Sequence, residues 1–473
     1  MPHLLKRPGL WTAAPAWACF LPLWAALSLW PLPALYSWGA WCIVALCCAL
    51  VEWPDFRQNC KVLCLALALS CLFFYLCLAR LNVTPSISSE EHRFLVLDLS
   101  ERDWSVVATL RDEAGVNWLW YPRQETVVPG TYLQGHVTQQ KASLSDLVRY
   151  KGRRVAGVVR LKETQTVQGP ASLARLLARW RYRLAEQFES LPLRTRTLAK
   201  ATYLGIRDPQ GAEEYRRWGA AHFIAVSGWH VGIVLALCPA LFGTGLFGAF
   251  ASTIFLALYV VFGGASFSAL RAFFLALVCL WGSALGNRRT TINALGVALT
   301  LTLVFWPGSV FSLSWQLSAL ATVLVLGLQV WKVSGFLVSL PAMWLIPAPI
   351  AAPLSGGLFQ STLPLSAMFP LFSLIFTTCW LLTLPFVLGL PGAWLPILLS
   401  EKLLAFWALI ADFWVDLLPK AYILSRSWIA LSLAVATLVL ARRLTRNWSV
   451  ILSAALLTGA LVWCSLALWG VMS

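Results

Sequence analysis

The chain has 473 residues, 59% of them hydrophobic and 12% charged, with a formal net charge of +16 and a mean hydropathy of +0.73. An ordinary soluble chain is about 25% charged, and a water-soluble fold has no way to hide this much apolar surface, so that class is excluded. What remains is a polytopic α-helical membrane protein. Apolar stretches of about 18 or more residues recur, and each is long enough to cross a hydrocarbon core of about 30 Å. Helices are the form expected there, because backbone groups in lipid must be satisfied within the segment. Trp11, Trp30, Trp53, Trp281, Trp306, Trp331, Trp428 and Trp448 lie near the ends of apolar runs, as interfacial anchors do. The 12 Cys all fall outside Leu81–Ala220, and none has ligand spacing with His. They read as small hydrophobes, so no disulfide is expected in the polar domain, and no metal site or other cofactor in the chain.

Residues 1–80 read as about three transmembrane helices. Lys6 and Arg7 precede a run from about Leu10 to Trp30, too long for the apolar core of a signal peptide. A second span ends near Val51, the loop Glu52–Lys61 carries Arg57 and Lys61, and a third span covers Val62 to Ala79. With these cations inside, the third span exits on the outer side, and residues 81–168 lie in a periplasm-like space. There the pattern changes to short alternating runs, Phe94–Leu99, Trp104–Leu110, Asn117–Tyr121, Tyr132–Thr138 and Arg154–Leu161, divided by turn residues such as Pro129-Gly130. Five short strands predict a small barrel such as an OB-fold, with a sandwich fragment as the alternative.

Residues 169–220 read as amphipathic basic helices and a linker. Leu173, Leu176, Leu177, Trp180, Leu184 and Phe188 fall on one side of a helix, and Arg175, Arg179, Arg181 and Arg183 spread over the other. The pattern suits a lipid surface better than contact with nucleic-acid phosphates. A second helix is expected around Arg194–Leu204, a loop at Asp208-Pro209, and a short polar helix over Ala212–Trp218. Spans follow near His222–Phe242, Leu246–Phe262, Phe267–Leu285, Thr291–Trp306 and Phe311–Gln329. Asn287-Arg288-Arg289 and Lys332 then land inside, in agreement with the outer placement of the barrel. The Pro- and Gly-rich stretch Gly335–Pro364 suggests half-helices around a cavity. Residues 221–390 form the transmembrane core and 391–473 the C-terminal helices, with spans near Leu365–Leu388, Leu395–Leu418, Ser427–Leu440 and Trp448–Val471. The total is about 10–12 spanning or half-spanning helices.

Polar residues inside apolar runs carry the chemistry. His222, Ser227 and His230 share one run, and Ser227 and His230 are three apart, hence on one helical face. They could act as nucleophile and base, but no carboxylate nearby would orient the imidazole; hydrogen bonding or lining of a water-filled path is the stronger reading. Arg271 could pair with a carboxylate, bind phosphate or snorkel. Asp412 and Asp416 fit pairing with Lys420 better than cation coupling. No GxxxxGK[ST] loop occurs.

Three ordered stretches resemble a known family. Tyr203-Leu204-Gly205-Ile206-Arg207-Asp208, then Glu214-Tyr215-Arg216-Arg217-Trp218-Gly219-Ala220-Ala221-His222, then Ala225-Val226-Ser227-Gly228-Trp229-His230-Val231-Gly232 look like the signature of the ComEC competence proteins. Gly263-Gly264-Ala265-Ser266-Phe267-Ser268-Ala269-Leu270-Arg271-Ala272 resembles its GxxxSxxRA helix, and Pro307-Gly308 followed by Ser314-Trp315-Gln316-Leu317-Ser318 its P…gFQLS step. The resemblance implies an inner-membrane channel for single-stranded DNA, with His222, Ser227, Gly228, His230, Arg271, Gln316 and Ser318 along the path. It implies an OB-like domain that receives DNA through Trp104, Trp118, Trp120, Tyr121, Arg123 and Tyr132, although most of these could be barrel core. Many family members end in a metallo-β-lactamase-like domain with an H-x-H-x-D-H cluster. The five His here, His3, His92, His136, His222 and His230, form no such cluster. The expectation is therefore a non-enzymatic channel served by a separate periplasmic DNA-delivery protein, a cytoplasmic ATP-driven motor and a separate nuclease. A transporter of another solute and an intramembrane serine hydrolase are the alternatives.

Overall fold

The structure is a computed structural model that describes residues 15–30, 32, 34–51, 56–83, 85–87, 91–102, 105–122, 127–218, 228–286, 291–328, 358–361, 364–365 and 368–422. Trp104, Arg123, His222, Ser227, the cationic loops at Lys6-Arg7, Asn287–Arg289 and Lys332, most of the Gly335–Pro364 stretch and the two last predicted spans lie outside the described residues.

The described part is mostly helical. α1 (Pro15–Ser28), α2 (Ala34–Val51) and α3 (Phe56–Asn82) precede a β domain; α8 (Gly228–Phe242), α9 (Leu246–Phe262), α10 (Phe267–Ala284), α11 (Thr291–Phe305) and α12 (Leu313–Leu328) follow it. Two further helices, α13 (Phe369–Val387) and α14 (Trp394–Leu417), form a hairpin. Among the described residues, three stretches are long and apolar enough to cross a membrane: Cys60–Asn82, Phe267–Ala284 and Trp394–Leu417. One core joins α1 to α3, α8, α10, α11 and α12 through Phe20, Leu23, Leu27, Phe74, Val234, Leu270, Leu299 and Trp315. A second joins α13 and α14 through Phe372, Phe376, Leu404 and Trp407. The sequence places most of these helices within a few residues. α3 is the exception: it begins at Phe56, inside the expected loop, because nothing from Phe56 to Lys61 breaks a helix.

The β domain is a closed five-stranded barrel in the order β1-β2-β3-β5-β4. Its strands are β1 (Glu91–Arg102), β2 (Ser105–Arg111), β3 (Asn117–Trp120), β4 (Tyr132–Gln139) and β5 (Val158–Val167). β3 pairs parallel with β5, and the other pairs are antiparallel. Phe94, Val96, Leu110, Trp118, Trp120, Leu133, Val137 and Val159 fill the interior. One expectation needs correction here, and one helix is not among those expected. The fifth strand runs over Val158–Val167, beyond the expected Arg154–Leu161, because Arg154 takes a left-handed φ of 59° and closes a turn. A helix, α4 (Leu144–Lys151), precedes it, started by a reciprocal capping box between Ser143 and Asp146.

Three more helices lead out of the barrel: α5 (Leu173–Phe188), α6 (Leu193–Ala199), which continues through a π turn over Lys200–Leu204, and α7 (Pro209–Arg217). The expected loop at Asp208-Pro209 is the start of α7. Asp208 is its N-cap, taking the Gln210 and Gly211 amides, and Pro209 occupies the first turn, where its missing N–H is harmless.

One end of the helical body carries the barrel. Lys151 at the end of α4 donates through Nζ to Val83 O at 2.7 Å, just past α3. The same turn lies on the 3-10 segment Pro307–Phe311, where any side chain at Gly308 would collide with the Lys151 carbonyl. Arg154 donates to Gly264 O at 3.1 Å, in the α9–α10 turn. Val83, the α9–α10 turn and the Pro307–Phe311 segment are thus the parts of the helical body that meet the barrel.

Candidate functional site

Arg271 lies in the second turn of α10. Ser266 caps that helix, accepting the Ala269 amide at 3.2 Å. It is 2% exposed. Its Nη1 donates to Thr322 Oγ1 on α12 at 2.7 Å, and Thr322 in turn donates to Ser318 O at 2.8 Å. A side chain at Gly228, the first described residue of α8, would place its Cβ 2.8 Å from Arg271 Nη2. Gly228 therefore leaves the space that the guanidinium occupies. Arg271 Nε is buried without a hydrogen-bond partner among the described residues, and none of the ion pairs formed among them includes Arg271. A buried cation held, among the described residues, by one hydroxyl is strongly undercompensated there. It is chemically fit to meet an anion.

His230, two residues after Gly228, is 1% exposed. Its ring packs edge-on against Phe376 at 5.3 Å and Trp380 at 5.9 Å on α13. Tyr203, from the π turn, reaches the same helix, donating to Trp380 O at 2.9 Å. Gln316 is spent on its own segment: Nε2 donates to Val310 O at 2.7 Å and so holds the 3-10 turn. Of the expected path residues, the structure brings Gly228 and Arg271 together, links Ser318 to Arg271 only through its carbonyl and Thr322, and sets Gln316 at the turn and His230 among aromatic rings.

The expected contacts of the barrel are placed as follows. Trp118 and Trp120 are 0% and 4% exposed in the barrel core, and Trp118 Nε1 donates to Asp112 at 2.8 Å. They offer no ring face for stacking. Tyr132 is covered by the Arg175 guanidinium, 5.4 Å from its ring centre. On α5, Arg175 also donates to Gly130 O and Gly169 O, and Arg181 to Leu204 O at 2.7 Å. Arg179 and Arg183 are exposed, as are Leu173, Leu176 and Trp180.

A second charged region surrounds α6 and α7. Asp208, 2% exposed, accepts from Arg196 Nε at 2.6 Å and lies 3.8 Å from Lys200 Nζ. Glu189 meets both cations, Arg196 at 3.2 Å and Lys200 by a short contact. Glu401, on α14, accepts the Thr195 amide at 2.9 Å and its hydroxyl at 2.8 Å. Asp412, also on α14, pairs with Arg217 and accepts from Trp218 Nε1 at 2.8 Å. That corrects the expected partner, Lys420. Sequence reading missed Thr322, Asp208 and Glu401. Only Asp208 carried a signal, as an Asp-Pro helix start; the others depend on contacts across the fold.

The family model for the Competence protein family matches residues 205–471, more than half of the chain. ComE operon protein 3 of Bacillus subtilis (strain 168) is 36% identical over 108 residues, which cover 22% of this chain and 14% of that protein. The match thus spans about a seventh of that relative's length. No solved structure matches the chain.

Proposed function

The chain belongs to the Competence protein (ComEC) family, and from that premise we propose that it is a bacterial inner-membrane channel that passes single-stranded DNA into the cytoplasm during natural transformation. The observation that carries this reading is Arg271, a buried cation on an apolar helix, held by a hydroxyl with a glycine beside it. An acidic partner would make it a structural ion pair. A guanidinium without one among the described residues suits transient contact with a passing phosphate.

The barrel, an OB-like domain in this reading, faces the periplasm and hands the strand to the helices at the end where it docks. α5 lies at the lipid surface, with Leu173, Leu176 and Trp180 toward the acyl boundary and Arg179 and Arg183 at the headgroups. The chain does no chemistry on the strand. A delivery protein, an ATP-driven motor and a nuclease are separate partners.

Arg271→Gln should abolish transformation and the uptake of labelled DNA while the protein still accumulates in the membrane fraction. Full transformation by that variant, or by a strain lacking the gene, would refute the proposal. Single cysteines placed at Glu113 in the barrel should react with an impermeant thiol reagent in cells whose outer membrane is opened and whose inner membrane is intact.

A further inference from the structure

The junction between the barrel and the helical body carries cations in excess. Arg154 leaves the turn before β5, donates to Gly264 O at 3.1 Å and lies over the Phe267 ring at 5.0 Å. Arg181 comes from α5, donates to Leu204 O, and has its Nη2 at the same glycine: a Cβ on Gly264 would lie 3.4 Å from it. Arg111, at the end of β2, donates to Asn117 Oδ1 at 3.0 Å, and Asn117 in turn contacts Arg154 O at 3.4 Å. Two guanidiniums from two elements thus converge on the α9–α10 turn, and the charge of a third, Arg111, acts on Arg154 from the barrel side.

Their acidic compensation is slight. Asp98, half-buried in the barrel wall, lies 3.8 Å from Arg181 Nη2, a long contact. Burial raises its carboxyl above the ordinary carboxylate range, and Arg181 offsets that only in part. Asp112 is occupied by Val116 N and Trp118 Nε1. Burial, and next the Arg111 charge, hold the Arg154 guanidinium below its usual value. Arg181 Nε is buried with no acceptor among the described residues. Structural clamping accounts for the two carbonyl contacts. It leaves the donors of Arg154 and Arg181 that point to no carbonyl unexplained, and Arg111, which gives Nε to its cross-strand partner Asn117, adds a further positive charge beside them.

We infer that this junction binds a phosphodiester, the backbone of the single strand as it passes from the barrel to the helices. Arg111, Arg154 and Arg181 would grip it and Gly264 would give close access. The inference rests on the channel reading and adds where the strand is first held. Planar guanidiniums suit phosphate oxygens, which take paired N–H donors. The location favours a strand over a lipid headgroup, since the cluster lies between the barrel and the turn that leads directly into the Arg271 helix.

The test uses the full chain in vesicles of neutral phosphatidylcholine, with a labelled oligothymidylate titrated at several salt concentrations. Arg111→Gln and Arg181→Gln should each weaken binding several-fold and lower the salt slope by about 0.7 for each phosphate that is no longer neutralised. Arg111→Lys should keep most of both. An oligonucleotide with a methylphosphonate backbone should bind wild type weakly, a readout that no misfolded variant can imitate. Oligonucleotide binding with an unchanged slope in both Gln variants would overturn the site and leave the channel reading standing. No oligonucleotide binding by wild type would overturn both. If phosphatidylglycerol stabilises wild type against heat, and both Gln variants lose that stabilisation while keeping the slope, the cluster belongs to a lipid and the inference fails.

Discussion

The charges around α6 and α7 and those between the barrel and α10 follow opposite rules. In the first region each buried cation meets a carboxylate: Arg196 and Lys200 meet Asp208 and Glu189, and Arg194 meets Glu214 at 3.0 Å. In the second, Arg111, Arg154 and Arg271 make no ion pair among the described residues, and Arg181 has a single distant one. Both regions carry the desolvation cost of burial. Only the first offsets it internally. A paired network fixes a shape, whereas an unpaired cation keeps its strongest bond for something that arrives. The difference separates scaffold from candidate site more sharply than residue type does, since both regions are rich in Arg.

Breaking the paired region should have the largest effect on stability. Asp208→Ala would remove the N-cap of α7 and leave Arg196 and the buried Lys200 with Glu189 alone. Removing one partner from a buried pair costs about 3–5 kcal/mol. The purified variant should unfold at much lower temperature in detergent, or fail to accumulate. If its unfolding temperature matched wild type, the network would not be the scaffold of that region. Arg271→Met makes the opposite comparison. It deletes an undercompensated cation, so thermal stability should be unchanged or higher, while transformation is lost. Loss of both would place Arg271 with the scaffold.

Much of the helical body is legible in the sequence because a membrane-length apolar run has few other forms available. The expected spans ending at Phe242, Phe262 and Leu388 match the helices nearly to the residue. The barrel is legible in kind, through its alternating runs, but β5 is not. Its second half, Lys162-Glu163-Thr164-Gln165, is largely exposed and polar, so it carries no apolar alternation; it is a strand because β4 lies beside it. The aromatic residues are legible only as an alternative. Trp118 and Trp120 alternate as either a binding face or a barrel core would, and their rings fill the barrel, so the core reading holds for both. Arg271 is legible as costly, whereas its Thr322 partner, 51 residues away, is not. The spacing of Asp412 and Asp416 points to their near neighbour Lys420; the distant Arg217 and Trp218 claim Asp412 instead.

Asp412 therefore sharpens the comparison at a smaller scale. It is partly exposed, and so is Arg217, which limits the pair to at most about 1 kcal/mol. Asp412→Asn keeps an oxygen for the Trp218 N–H and removes the charge. Unfolding should shift slightly and DNA uptake should persist. A transporter driven by proton or cation binding at Asp412 would instead lose transport in that variant, together with the pH dependence of the wild-type rate.

The smallest effect is expected at Ser143 and Asp146, a balanced polar pair out in solvent. Ser143 Oγ accepts the Asp146 amide at 3.2 Å and donates to its carboxylate at 2.7 Å, while the Ser143 amide donates to the same carboxylate. Hydrogen bonding to Ser143 holds the Asp146 carboxyl below the ordinary range. A lowered native value means that the folded state favours the charged form. The contribution is therefore complete above the ordinary carboxylate range and fades as pH falls through the native value. Ser143→Ala should cost about 0.5–1 kcal/mol near neutral pH and proportionally less in acid, read as converging unfolding curves of the two proteins. Parallel curves down to low pH would mean that the Asp146 charge adds nothing to the cap. Because α4 sets Lys151 against Val83 and Gly308, the same variant should loosen the docked barrel before the helical body, seen as faster proteolysis at the 140–144 segment with α8–α12 still protected.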